Sequence, residues 1–177
     1  GEYTIEAWVA PGNVAQEDSR IVSYSGGTTT RHFMLGPTLY SYDFYNRATG
    51  TNTAGDPKLT TSADDEDLQA TLQHVVATYD PIRGRRIYVN GVYTGDADPA
   101  AGGTISDWDD TFAFVLGNEV SGDRPFQGVF RLVAVYNRVL TDPQIQTNFQ
   151  AGVGEKFYLL FSISHLVDVP QAYLLLE

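Results

Sequence analysis

Residues 72–95, LQHVVATYDPIRGRRIYVNGVYTG, set two β-patterned runs and an Asn-Gly turn in direct succession. The first run, His74 to Tyr79, carries Val75, Val76 and Tyr79, and Asp80-Pro81 with Gly84 punctuates the connection after it. The second, Ile87 to Val89, alternates into Asn90-Gly91, after which Val92 to Thr94 resumes the chain in reverse. Asn and Gly tolerate the positive φ of both central positions in a type I′ turn, whose twist matches paired strands. This stretch therefore commits the chain to antiparallel sheet.

The remainder keeps the same grammar of short strands and turn-rich loops. Tyr3 to Val9 alternates, with Tyr3, Ile5, Ala7 and Val9 on one face and Thr4, Glu6 and Trp8 on the other, and Pro11-Gly12 ends it. Further runs are expected at Ile21 to Tyr24, His32 to Leu35, Leu39 to Tyr45, weakly near Leu59, and at Phe112 to Leu116. Val129 to Tyr136 is apolar on both faces except for Arg131, which predicts a central strand covered on both sides. Thr141-Asp142-Pro143-Gln144 has the form of a capping box, so one short helix is expected over 142–150, stopped by Gly152. Residues 156–164 and 171–176 read as two more strands. Many strands, one helix and no repeat indicate an all-β fold, a two-sheet antiparallel β-sandwich, spanning a single domain over 1–177.

Composition removes several classes of function. The chain has 177 residues, enough for one core, and 11 Lys+Arg against 22 Asp+Glu give a net charge of −11. That surface repels nucleic-acid phosphates and anionic lipid, so neither is an expected partner. With Cys 0, disulfides, zinc-thiolate sites and thiol nucleophiles are excluded. The apolar stretch from Phe157 to Leu176 is broken by Ser162, Ser164, His165, Asp168, Pro170 and Gln171, so membrane insertion is not expected. The abrupt start at Gly1-Glu2-Tyr3 reads as a piece cut from a longer protein.

Four blocks in order, YTIEAWVAP (3–11), IVSYSGG (21–27), HVVATYD with IYVNG (74–91), and FVLGNE through FQGVFRLVAVYNRVLTDPQI (114–145), resemble laminin-G-like and pentraxin-like domains. The resemblance covers roughly residues 3–150 and implies a concanavalin A-type jelly roll. It also implies a non-catalytic glycan-binding or adhesion module of an exported, extracellular or cell-surface protein, with a glycan or a neighbouring protein domain as partner. Two departures stand out: the strands that the family usually carries ahead of YTIEAWV are missing, and the segment after Gly154 has no counterpart, so 155–177 is expected either to complete the sandwich edge or to lead to a neighbouring domain.

Several constellations bear on chemistry. Glu2, Thr4 and Glu6 share a strand face. Jelly-roll laminarinases place Glu-x-Asp-x-Glu on such a strand, but here Thr4 stands in the middle, so no catalytic residue is assigned and Glu6 reads as a surface residue beside Trp8. Asp96, Asp98, Asp107, Asp109, Asp110, Glu119 and Asp123 crowd 96–123 without a Lys or Arg among them, and hard cations need several oxygen ligands held by loops. Comparison with pentraxins puts Glu119, after Leu116-Gly117, at a calcium position, while Arg31 falls where the companion ligands would lie. The expected Ca²⁺ ligands are therefore Asn118, Glu119 and Asp123, with Arg124 able to pair with Asp123 instead. The run Asp64-Asp65-Glu66-Asp67 reads as solvated surface.

Among the aromatics, Tyr40, Tyr42 and Phe44 share a face that fits the core, whereas Tyr45 turns outward with Ser41 and Asp43. Trp108 lies in the acidic Ser106-Asp107-Trp108-Asp109 loop, where a tryptophan needs packing or a ligand. Trp108, Tyr45 and Arg31 are accordingly the candidate ligand-contacting residues. His74 reads as a structural histidine, and no histidine spacing suits zinc. The alternatives are a structural or protein-interaction sandwich without sugar binding and, more remotely, a glycoside hydrolase.

Overall fold

The computed structural model describes residues 1–62, 67–100, 102–105 and 107–153; the strands expected over 156–164 and 171–176, and the acids at 64–66, lie outside them. Along the chain run β1 (Tyr3–Pro11), β2 (Val22–Gly27), β3 (Thr30–Thr38), β4 (Ser41–Asn46), β5 (Leu59–Thr60), β6 (Gln73–Asp80), β7 (Gly84–Val89), β8 (Val92–Tyr93), β9 (Ala113–Leu116), β10 (Gly128–Tyr136) and α1 (Asp142–Ala151). They form two five-stranded sheets, ordered β10-β1-β6-β7-β8 (sheet 1) and β5-β4-β3-β2-β9 (sheet 2), with every pairing antiparallel. The expected sandwich and its one helix are present.

Alternation explains the core. Tyr3, Ile5, Ala7 and Val9 of β1 point inward with Val75, Ala77, Tyr79 and Ile87, and meet Val22, Phe33, Leu35, Tyr42, Phe44 and Leu59 of sheet 2. The β7–β8 hairpin turns at Asn90 and Gly91, whose φ angles of 51° and 79° are the positive pair that the sequence requires. α1 starts as expected: the Gln144 side chain accepts the Thr141 backbone N–H at 3.0 Å, and the Gly152 N–H closes the last turn on Asn148 and Phe149 carbonyls. No helix among the described residues is long and apolar enough to cross a membrane.

Two expectations are corrected. The run from Leu39 is not all strand. β3 continues through Gly36-Pro37 to Thr38, and Leu39 and Tyr40, with φ of 37° and 70°, form the turn into β4. Pro37 is tolerated there because pairing with β2 already ends at Leu35, and Tyr40 is left 46% exposed. The second correction concerns Val129 to Tyr136. Among the described residues β10 pairs only with β1 and is the edge of sheet 1, with Val129 and Val135 exposed at 50% and 49%. Its apolar residues do serve two faces, since Phe130 and Val133 pack on the core while Tyr136 packs under α1. An apolar run reports which faces are covered; it carries no information on whether the lateral edge is paired.

A charged side chain ties the sheets together. Arg85 of β7 is 2% exposed and donates through Nε and Nη2 to Asp98 at 3.1 and 2.5 Å. Its remaining N–H groups reach Phe44 O of β4 at 3.2 Å and Pro57 O at 2.6 Å. Gly84, with φ of 77°, passes so close to Asp98 that a Cβ there would lie 2.6 Å from Oδ2.

Two substitutions test this account by urea denaturation. Asp98→Ala leaves a buried guanidinium unpaired and is expected to cost about 3–5 kcal/mol. Replacing Asn90 and Gly91 with Ala forces left-handed backbone at about 1–2 kcal/mol per residue, and a Cβ on Gly91 would also meet Phe149 Cβ at 2.9 Å. An unchanged midpoint in the second variant would contradict the turn assignment.

Candidate functional site

The outer faces of the two sheets differ in kind. That of sheet 1 is roofed by α1. Glu6, only 3% exposed, accepts from His74 Nε2 at 2.8 Å, Tyr136 Oη at 2.7 Å and Asn148 Nδ2 at 2.9 Å. Trp8 stacks on Phe149 of the helix at 5.9 Å and on His74 at 4.8 Å. Glu6 is thus a buried anchor, not the surface residue that strand alternation indicated, because the helix covers the face that alternation turned outward. Burial pushes its carboxyl up, but the three hydrogen bonds and the His74 ring outweigh this and hold it below its ordinary value. Thr4 is equally structural, donating to Arg138 O and accepting the Leu140 N–H, both at 2.9 Å. Glu2 is exposed at the chain start. This strand face presents no open pair of carboxylates.

On sheet 2 the core-facing residues Val22, Tyr24, Phe33, Leu35, Tyr42 and Phe44 leave Ser23, Ser25, Arg31, Met34, Asp43 and Tyr45 on the outer face. The register slips between Tyr24 and Ser25, with His32 as the additional residue, and this sets Arg31 opposite Ser25. Glu119, 1% exposed, comes down on these strands: its Oε1 accepts from Ser23 Oγ at 2.8 Å and from Ser25 Oγ, and its Oε2 faces Arg20 Nε at 3.4 Å. Burial raises the Glu119 carboxyl, and the Ser25 and Ser23 hydroxyls, the Val120 N–H and Arg20 bring it back below its usual value. Beside this cluster the Arg31 guanidinium lies 4.5 Å from the centre of the half-buried Tyr45 ring. Lys58 Nζ lies 5.6 Å from the same ring and pairs with Asp43 at 2.7 Å, and Thr60 Oγ1 donates to Asp43 at 2.7 Å.

Arg31 and Tyr45 are therefore brought together, and Trp108 is not among them. Its indole stacks on His32 at 4.7 Å, meets Tyr3 edge-on at 5.5 Å and donates Nε1–H to Arg47 O at 3.1 Å, which seals the end of the core. Packing meets the demand that a loop tryptophan makes. The acidic stretch likewise disperses: Asp98 belongs to Arg85, Asp109 accepts from Thr111, and Glu119 belongs to the sheet 2 cluster.

Asn118, Glu119 and Asp123 do share a loop, but their oxygen atoms are engaged. Asn118 Oδ1 accepts the Glu119 and Arg124 N–H groups, both at 2.8 Å, and Asp123 Oδ1 accepts Ser121 Oγ at 2.5 Å. Among the described residues no group of three or more His, Cys, Asp or Glu is arranged to hold a metal ion. A calcium ion at Glu119 would have to displace Arg20 and both serines, so this donor set does not suit one as it stands. Arg124 turns toward Asp18, 3.9 Å away. Arg20, Ser23 and Ser25 escape a sequence reading. The Ser-x-Ser spacing on an apolar strand was the available signal, but their acceptor lies far away in the chain at Glu119.

A concavity of about 420 Å³ opens away from this face, between β7 and the loop leading into α1, with Asp80, Arg83, Arg86, Tyr88 and Asp142 in its lining. Its charges largely satisfy each other. Arg83 pairs with Asp80 at 3.3 Å, Tyr88 donates to Asp142 at 2.8 Å, and Arg86 lies 5.1 Å from the Tyr93 ring centre. It makes a weaker chemical demand for a ligand than the sheet 2 face.

The family model described as the concanavalin A-like lectin/glucanases superfamily matches residues 1–146. The chain belongs to that superfamily. A search of curated protein sequences returns no match. Solved structures share the concanavalin A-like fold. The CBM40 of a Ruminococcus gnavus IT-sialidase, bound to α2,3-sialyllactose, is 21% identical with a TM-score of 0.64, over 82% of this chain and 81% of its own. A Bacteroides ovatus protein described as carbohydrate-binding is 22% identical with a TM-score of 0.59, over 84% of this chain but 40% of its own. The binding domain of botulinum neurotoxin DC, in complex with rat synaptotagmin II, is 13% identical with a TM-score of 0.58, over 89% of this chain and 37% of its own. At such identities it is the fold that is shared.

The two depressed carboxyls fix how this concanavalin A-like domain responds to acid. Folded-state values for Glu6 and Glu119 lie below the ordinary ones, so their stabilisation is complete above the unfolded glutamate pKa of about 4.3 and fades as pH falls through the folded values. Melting temperature followed from pH 7 downward should drop in the wild type below that range. Glu6→Gln and Glu119→Gln should each be less stable at pH 7 and show a shallower acid limb.

Proposed function

We propose that this domain is a non-catalytic glycan-binding module of an exported multidomain protein, with the sugar seated on the outer face of sheet 2 at Tyr45. The carrying observation is the setting of that ring. It is a partly exposed aromatic on a sheet face that also carries Ser23, Ser25, Arg31, Met34 and Asp43, with the Arg31 guanidinium 4.5 Å and the Lys58 ammonium 5.6 Å from its centre. An aromatic body offers apolar contact to sugar C–H groups, while flanking donors and acceptors fix the hydroxyls. The fold shared with a sialyllactose-bound CBM40 supports the same reading. Turnover is not part of it, because Glu6 is consumed in anchoring α1 and Thr4 in holding the Arg138–Leu140 segment.

Calorimetric titration against a panel of neutral and acidic oligosaccharides tests the reading. Tyr45→Ala, checked for folding by circular dichroism, should weaken binding about ten-fold, the scale of one good aromatic contact. No reducing ends should be released from any polysaccharide by wild type; release that disappears in Glu6→Gln would establish a hydrolase instead.

A second reading, a protein-interaction sandwich, draws on the half-exposed Phe114, Leu116, Val129 and Val135 along β9 and β10. A silent glycan panel together with concentration-dependent sedimentation would favour it.

A further inference from the structure

Resting on that reading, the chemistry beside Tyr45 also says what kind of saccharide the site takes. Arg31 is 4% exposed, yet among the described residues it makes no ion pair. Its Nη2 donates to Thr28 O, its Nε–H is buried without a hydrogen-bond partner, and its remaining support is the Tyr45 ring. The carboxylates of Glu119 and Asp56 act on it only from longer range, while Arg20 repels it. Glu119 is engaged by Arg20, and Asp43 by Lys58 at 2.7 Å. Of the three cations here, Arg20, Arg31 and Lys58, Arg31 is therefore the one with no carboxylate within ion-pair distance, on a chain whose net charge is −11.

A buried charge without a counter-ion is costly, and a contact with one aromatic ring offsets only part of that cost. Burial and the neighbouring Arg20 push Arg31 down from its ordinary value, yet a guanidinium stays protonated in proteins. What is missing is an anion in direct contact. Arg31 lies against the half-buried Tyr45 ring, which also meets a Lys58 side chain exposed at 34%. A carboxylate matches the fork of guanidinium N–H donors, and the Arg31 Nε–H, buried and unpartnered, is a prong that such a ligand has to uncover.

We infer that the sheet 2 site selects saccharides bearing a carboxylate, which Arg31 binds while Tyr45 meets the sugar ring. The 177-residue chain is titrated calorimetrically with D-glucuronate, with the methyl ester of glucuronic acid, with 3′-sialyllactose and with lactose. Each acid is expected to bind roughly ten- to a hundred-fold more tightly than its neutral counterpart, the scale of one charge-assisted hydrogen-bonded contact. Arg31→Gln should erase that advantage. Arg31→Lys, which keeps the charge but loses the planar fork, should reduce it, and decides the matter if the Gln variant does not fold by circular dichroism. Equal affinity for acid and neutral partners overturns this inference and leaves the glycan reading standing. A full acid preference in either folded Arg31 variant overturns it as well, and so does acetate competing as strongly as glucuronate, which would make the site one for free anions. No binding of either acid overturns this inference, whereas the glycan reading falls only if the whole oligosaccharide panel is silent.

Discussion

The ion pair between Arg85 and Asp98 holds the rest of the structure in place. Arginine is an unusual residue to find between two sheets, and its position is set by alternation: Arg85 shares the inward face of β7 with Ile87. Once inside, it must be neutralised and hydrogen-bonded, and both requirements recruit chain from elsewhere. Asp98 folds the acidic loop back onto β7, Phe44 O anchors the guanidinium to the opposite sheet, and Pro57 O brings in the loop before β5. That loop ends at Lys58, which sits beside Tyr45. The candidate site is therefore positioned from behind by a charge pair inside the sandwich.

A second division of labour follows from the single helix. Because α1 lies on sheet 1, polar residues there serve to seat it, and Glu6 gathers His74, Tyr136 and Asn148 around one carboxylate. Among the described residues sheet 2 has no helix over it. Its outward serines, arginine and tyrosine are organised by loops instead, chiefly through Glu119, whose engagement with Ser23, Ser25 and Arg20 uses up the oxygen atoms that a metal would need. The same fold thus presents one face roofed by a helix and one face with a guanidinium outside any ion pair. The proposed recognition surface is the second.

Legibility in the sequence tracked the range of the interactions. The Asn90-Gly91 turn, the Thr141 to Gln144 capping box and the inward row of β1 are local patterns, and each stands where the residues indicated. The pairing of Arg31 with Tyr45 on one face was half legible, since alternation turns Tyr45 outward but says nothing of its neighbour across the sheet. What could not be read depends on distant partners: Asp98 looked like one more acid in a crowded loop until Arg85 claimed it, and Glu119 looked like a metal ligand until two serines and Arg20 closed around it. The edge position of β10 was misread for a related reason. Hydrophobicity records what lies above and below a strand, whereas lateral neighbours are bound through the backbone, which every sequence supplies equally.

The position of β10 at the edge of sheet 1, among the described residues, has a consequence for how the molecule opens. Tyr136, on that edge strand, donates to the same Glu6 oxygen that receives Asn148 from α1, so strand and helix share one anchor point. Transient detachment of an edge strand is among the cheapest openings available to a sandwich. Here it would strip Glu6 of one donor and loosen the helix in the same event, making β10 and α1 a single cooperative unit of exchange. The interior strands β1 and β6 would remain protected behind it. The least stable part of the domain would then lie on sheet 1, across the sandwich from the face with the unpaired arginine, so opening and the proposed recognition fall on opposite sides of the molecule.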